Sequence, residues 1–151
     1  MSEYNYITKF VNYCNSNKMK AVQPMGKNQS TYADCEILLN NKEILKVEAK
    51  MLKNTHSNSV HFYNLLGELI GVSGKNSLLQ KNGCKCNQLC SAILLPYNSK
   101  SVFDKLWQKN ITQMNGNKYC SNFDVKYLIT FDEQPCRMRI YTYCKFTNKW
   151  V

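Results

Sequence analysis

Residues 33–52 read ADCEILLNNKEILKVEAKML, from Ala33 to Leu52. Two β-rich runs, Ala33 to Leu39 and Glu43 to Met51, flank Asn40, Asn41 and Lys42, a turn-forming insert. In the second run Leu45, Val47 and Ala49 alternate with Lys46, Glu48 and Lys50. That pattern predicts a strand with one face toward a core and the other polar. A three-residue turn pairs Leu38 with Ile44, Glu36 with Lys46 and Asp34 with Glu48. Directly opposed Cβ atoms on paired strands lie about 4.5 to 5.5 Å apart. Two carboxylates that close repel unless a cation sits between them or one is protonated. A divalent ion that prefers oxygen ligands answers this need, which points to Mg²⁺. Lys50 shares the face of Glu48 and would hold an attacking water or a phosphate. A two-residue turn would instead set Asp34 opposite Val47.

Outward from the hairpin, an alternation of elements is expected. Glu3 to Asn15 carries Tyr6, Phe10, Val11, Tyr13 and Cys14 at helical spacing, followed by a short strand at Lys20 to Gln23. A polar loop containing Pro24 and Gly26 leads into the hairpin. Beyond it, Val60, Tyr63, Leu66, Leu69 and Ile70 form the stripe of a helix that starts near Ser57 or Ser59 and ends around Gly71 or Gly74. Residues 75–89 read as a basic loop. CSAILLPYN, residues 90–98, reads as a buried strand, and Ser99 as the cap of a helix containing Val102, Phe103, Leu106 and Trp107. DVKYLITF and CRMRIYTYCKF predict a final hairpin around the turn at Asp132 to Pro135. The expected fold is α/β, a mixed β-sheet flanked by helices, in one domain spanning residues 1–151.

The Asp34 and Glu48-Ala49-Lys50 pattern resembles the PD-(D/E)XK nuclease superfamily, which includes restriction endonucleases and Holliday junction resolvases. Its pattern is an Asp opening one strand, E-x-K on the hairpin neighbour, and a following helix. Ala33 stands where many members have Pro. The resemblance covers about residues 20 to 72 and implies a restriction-endonuclease-like core. It implies that Asp34, Glu48 and the Ala49 carbonyl coordinate Mg²⁺ or Mn²⁺, with Lys50 completing the catalytic centre of an endonuclease. By the same analogy Glu3, at the start of the first helix, is an accessory candidate for the metal shell, and a homodimer is expected. Gln23 and His61 are further accessory candidates. For His61, as for His56, an ordinary surface or cap position is the stronger expectation.

Charge supports a polyanionic partner. The chain carries 20 Lys and Arg against 10 acids, a formal charge of +10. From Lys75 onward twelve basic residues face four acids. Such a basic half can neutralise phosphates and release counterions, although a lysine-rich solvated surface has the same composition. In CRMRIYTYCK, Arg137, Arg139, Tyr141, Tyr143 and Lys145 share one face of a strand and suit phosphate contact and base stacking. The bland alternative is a sheet face covered by another helix or subunit. Nucleic acid, DNA in preference to RNA, is the expected partner.

Other classes find less support. No apolar run reaches the roughly 18 residues of a membrane span. MSEYNYITKF has no basic stretch followed by an apolar core, so no signal peptide is expected and the protein is read as intracellular, in cytoplasm or nucleus. Of the eight cysteines, Cys84, Cys86 and Cys90 form C-x-C-x3-C, which departs from zinc-knuckle spacing and would need a distant fourth ligand such as Cys120. A structural Zn²⁺ is therefore not the expectation. Cys35, Cys136 and Cys144 read as small buried strand residues. A rival function is a non-catalytic module that grips nucleic acid or a protein through a nuclease-like fold.

Overall fold

The computed structural model describes residues 3–23, 33–52, 91–117 and 125–151. The first of these stretches forms helix α1, Glu3–Ser16, and strand β1, Ala21–Val22. The hairpin strands are β2, Cys35–Leu39, and β3, Glu43–Ala49. Strand β4, Ala92–Pro96, runs through a 3-10 turn at Tyr97–Ser99 into helix α2, Lys100–Asn117. Strands β5, Tyr127–Asp132, β6, Arg137–Cys144, and β7, Lys149–Trp150, complete the chain. The seven strands lie in one sheet in the order β1-β2-β3-β4-β5-β6-β7. β3, β4 and β5 are parallel to one another, and every other neighbouring pair is antiparallel. The expected α/β class with a mixed sheet is thus observed.

Why the helix sits where it does follows from its stripe. Tyr6, Ile7, Phe10, Val11 and Cys14 are buried on one side of α1. They pack on Ile37, Leu45, Val47, Ala49, Leu94, Ile129 and Phe131, the odd or even positions of four strands that alternation sends to one face. Full burial of each large side chain contributes roughly 1.5 to 3 kcal/mol. Phe131 anchors the arrangement, with the rings of Tyr6, Phe10 and Tyr13 centred 5.9, 5.5 and 5.1 Å away. Asn15 then joins helix to sheet. Its Oδ1 accepts from the Ala21 N–H at 2.8 Å and its Nδ2 donates to the Ala21 carbonyl at 3.1 Å, as a neighbouring strand would.

The opposite face buries Ile93, Leu95 and Leu128, fully covered. On this side α2 brings Phe103 and Trp107 against Trp150, with ring centroids 6.3 and 5.6 Å apart. Trp150 belongs to β7, a strand absent from the expectation. The Asn148 backbone, with φ 56°, turns the chain back for it.

Several boundaries differ. The strand expected at Lys20 to Gln23 shrinks to two residues, and β3 ends at Ala49 rather than Met51. Cys35 is buried as expected, whereas Cys136 is exposed and Cys144 half-buried. Cys136 precedes the first paired residue of β6, in the turn, where alternation no longer directs it inward. Ser99 lies just before α2, and its hydroxyl donates to the Leu52 carbonyl. The expected helix after Ser57, His56, His61 and the Cys84, Cys86, Cys90 and Cys120 set lie outside the described residues. No helix among the described residues is long and apolar enough to cross a membrane.

Candidate metal centre

The hairpin register decides the site. Asn40 and Asn41 both adopt left-handed backbone, φ 52° and 57°, a conformation asparagine tolerates better than most residues. The Lys42 N–H donates to the Leu39 carbonyl at 3.0 Å, closing the turn. Leu39 then pairs with Glu43, Leu38 with Ile44, Glu36 with Lys46, and Cys35 with Val47. This is the three-residue-turn register; its last pair is Cys35 with Val47, and Asp34 stands in the bend just before it.

Asp34 lies immediately before β2, where the ladder of backbone bonds has stopped. Its side chain continues the ladder: Oδ2 accepts from the Ala49 N–H at 2.8 Å. The carboxylate is thereby held against the Glu48–Ala49 peptide. Beyond it, the Lys50 N–H donates to the Leu94 carbonyl at 3.0 Å, tying the end of β3 to β4. The Lys50 ammonium approaches Glu48 Oε1 to 3.8 Å, and both side chains are mostly covered, 20% and 22% exposed. Partial burial lowers the local dielectric and strengthens what these charges feel from one another. Glu36 and Lys46 continue the same polar face away from the sheet edge.

The buried thiol of Cys35 registers this concentration of charge. Burial raises its pKa most, the neighbouring Cys14 raises it further, and so do the carboxylates of Asp34, Glu48 and Glu36. Among the described residues no group of three His, Cys, Asp or Glu side chains is placed to hold a metal ion. The oxygen groups at the hairpin are the Asp34 carboxylate, held on the Ala49 N–H, and the Glu48 carboxylate one residue away in the chain. Mg²⁺ commonly takes one or two protein carboxylates and keeps several waters, so an all-oxygen set of this size fits it.

Other candidates fall at varying distances along the sheet. Gln23 follows β1, and its Oε1 accepts from Thr8 Oγ1 at 3.1 Å. Glu3 begins α1 and is half-buried. On β6 the expected basic and aromatic strip divides. Arg137 stacks its guanidinium 3.8 Å above the Tyr97 ring and reaches Asp132 Oδ2 at 3.4 Å. Arg139 is exposed, with its guanidinium 5.8 Å from the Tyr141 ring, which Lys100 approaches to 4.6 Å. Tyr143 turns toward the aromatic cluster, 5.4 Å from Trp107 and 5.1 Å from Trp150, with its hydroxyl on Asn148. Lys145 is exposed in the turn after β6.

Tyr97, Lys100 and Asp132 are additions that sequence reading passed over. Tyr97 and Lys100 directly follow β4, and Asp132 ends β5, so all three gather near the carboxyl ends of parallel strands. The alternation of a strand flags its flanks but not which flanking residues meet across a sheet.

Comparisons with protein-family models, with curated proteins and with solved structures found no match to the chain.

Proposed function

We propose that the chain is a metal-dependent endonuclease with a restriction-endonuclease-like core, hydrolysing phosphodiester bonds in DNA in preference to RNA. The observation that carries this reading is the hydrogen bond from the Ala49 N–H to Asp34 Oδ2. It holds the Asp34 carboxylate on the backbone of Ala49, the residue between Glu48 and Lys50. The order β4, α2, β5 agrees with the family's core without being specific to it, and the helix expected after Lys50 lies outside the described residues.

The roles follow from the chemistry of the groups. Asp34, Glu48 and the Ala49 carbonyl would hold Mg²⁺ or Mn²⁺. A divalent ion there supplies Lewis acidity and neutralises charge on the phosphate. Lys50, whose ammonium lies along the same face, orients a water for attack and donates to a phosphate oxygen as negative charge grows on it. Glu48 keeps Lys50 in place through their ion pair. Arg139, exposed on β6, adds positive charge further along the sheet, where it would draw the backbone of a nucleic acid, whereas Lys100 is paired with Asp104 at 2.6 Å.

Cleavage of duplex, single-stranded and branched DNA and of RNA, with Mg²⁺ or Mn²⁺, tests the proposal. Wild-type protein is expected to cut at least one substrate, and Asp34→Asn to cut none while keeping its fold. Wild-type activity retained in both Asp34→Asn and Lys50→Ala refutes the site.

One observation favours a second reading, a nucleic-acid-binding module without turnover. The Glu48–Lys50 pair already compensates one of the two carboxylates that a metal would need. Retained nucleic-acid binding with no response to Mg²⁺ or Mn²⁺ is its expected signature.

A further inference from the structure

The turn between β6 and β7 carries the most exposed large hydrophobic side chain among the described residues. Phe146 is 99% exposed, against 67% for the next, Val151. Turns are usually built from Gly, Asn, Asp, Ser or Pro, which suit both the backbone and the water around it. Here Asn148, with φ 56°, supplies the bend, so the turn does not need a phenylalanine. The hairpin beneath the ring is braced. Thr142 and Val151 exchange N–H to carbonyl bonds of 2.8 and 2.9 Å. Tyr143 donates its hydroxyl to Asn148 Oδ1 at 2.8 Å, and Gln108 of α2 donates its side-chain amide to the Asn148 carbonyl. Cys144 Sγ accepts from the Thr147 hydroxyl and from the Thr147 and Phe146 N–H groups. A fixed backbone thus holds the Phe146 ring out in water.

Charge of one sign surrounds that ring. From Cys136 to Val151 the chain has Arg137, Arg139, Lys145 and Lys149 and no acid. Lys145, directly before Phe146, and Lys149, three residues after it, are both exposed. Lys105, exposed on α2, stands one helical turn before Gln108, which reaches the same turn. Among the described residues no ion pair joins any of these three lysines. A flat apolar ring among uncompensated cations suits an anion that has a flat apolar face of its own. Single-stranded nucleic acid is such a partner: its bases stack on aromatic rings and its phosphates meet the flanking charges, with little regard to sequence. A bilayer surface fits less well, since insertion draws on buried apolar area and the turn offers one ring.

We propose that the β6–β7 turn is a docking point for single-stranded nucleic acid, with an unpaired base stacked on Phe146 and the adjoining phosphates on Lys145 and Lys149. This place is distinct from the hairpin of Asp34, Glu48 and Lys50. Thr142 is level with Tyr127, Tyr127 with Ala92, and Ala92 with Val47. Three strand spacings, about 14 Å, therefore separate β6 from β3. Lys50 lies beyond Val47 toward one end of the sheet, while β6, antiparallel to its neighbour, runs from Thr142 toward the other. The turn and Lys50 are thus on the order of 20 Å apart. The turn grips a strand whether or not the hairpin holds a metal ion.

The test is fluorescence anisotropy of labelled oligo(dT) with the full chain in EDTA, so that binding is read without a divalent ion. Wild-type protein is expected to bind. Phe146→Ala and Phe146→Leu are expected to bind on the order of tenfold more weakly, and Phe146→Trp, which keeps a flat ring, at least as tightly as wild type. Lys145→Ala combined with Lys149→Ala is expected to flatten the slope of log affinity against log salt by about 1.4. Circular dichroism on each variant verifies the fold. Wild-type affinity in Phe146→Ala or Phe146→Leu, or an unchanged salt slope in the lysine variant, overturns the proposal, as does absence of binding by the wild type. Co-sedimentation with phosphatidylserine vesicles that is lost in Phe146→Ala, while oligo(dT) binding persists, overturns it in favour of an anionic membrane. Cleavage by Asp34→Asn is read separately, so failure at the turn leaves the nuclease reading standing.

Discussion

Lys50 and Asp34 differ in what their loss should do. Lys50→Ala removes a charge that acts on the reacting phosphate and leaves both carboxylates, so cleavage is expected to fall on the order of 10² to 10³-fold with metal binding retained. Steady-state and single-turnover rates on one substrate measure it; a loss below tenfold would assign Lys50 to the surface. The buried thiols make a separate prediction about pH. Burial pushes the Cys14 thiol from its ordinary 9.0 up to about 12. Unfolded chain therefore ionises first, and the stability held below pH 9 is lost as pH climbs from about 9 toward 12. Thermal melts of wild type and Cys14→Ala across that range should show the variant declining less steeply with pH; parallel curves would contradict it. Much at this scale was legible in the sequence. Glu48 and Lys50 sit two apart on a strand, so period-two alternation alone sends them to one face. Asp34 was legible only through the turn, and its bond to the Ala49 N–H was not, because it depends on where the strand ladder ends.

At the scale of elements the hairpin turn is the decisive part. Asn40 and Asn41 accept left-handed backbone, and Lys42 is the extra residue that sets Cys35 opposite Val47 and so brings Asp34 to the Ala49 N–H. Deleting Lys42 leaves a two-residue turn and slides the register by one, which sends side chains to the wrong face. Cleavage should then drop to background even where circular dichroism shows the sheet retained; full activity in the deletion variant would show that the register does not build the site. The two halves of β6 show where pattern reading stops. Alternation placed Arg137, Arg139, Tyr141 and Tyr143 on one face, and the register with β5 agrees. Which of them face solvent depends on α2, whose Trp107 claims Tyr143, and on Tyr97, which claims Arg137. Those are contacts between elements far apart in the chain, invisible to a local pattern.

For the molecule as a whole, a sheet lies between α1 on one face and α2 on the other, with the candidate metal centre at the edge where parallel strands end. β7 closes the far side of this arrangement. Trp150 is 3% exposed and packs on Phe103, Trp107 and Tyr143, so Trp150→Ala is expected to cost about 3 to 5 kcal/mol. Urea denaturation checks it, and a cost below about 1 kcal/mol would detach β7 from the core. This strand escaped sequence reading because two residues carry no period. Whether the hairpin edge holds a divalent ion is the question on which the functional account turns. Titration calorimetry with Mn²⁺ on wild type, Asp34→Asn and Glu48→Gln addresses it most directly. One ion bound by the wild type, with binding lost in both variants, is the predicted result. Undiminished Mn²⁺ binding in the two variants, or none in the wild type, would contradict it.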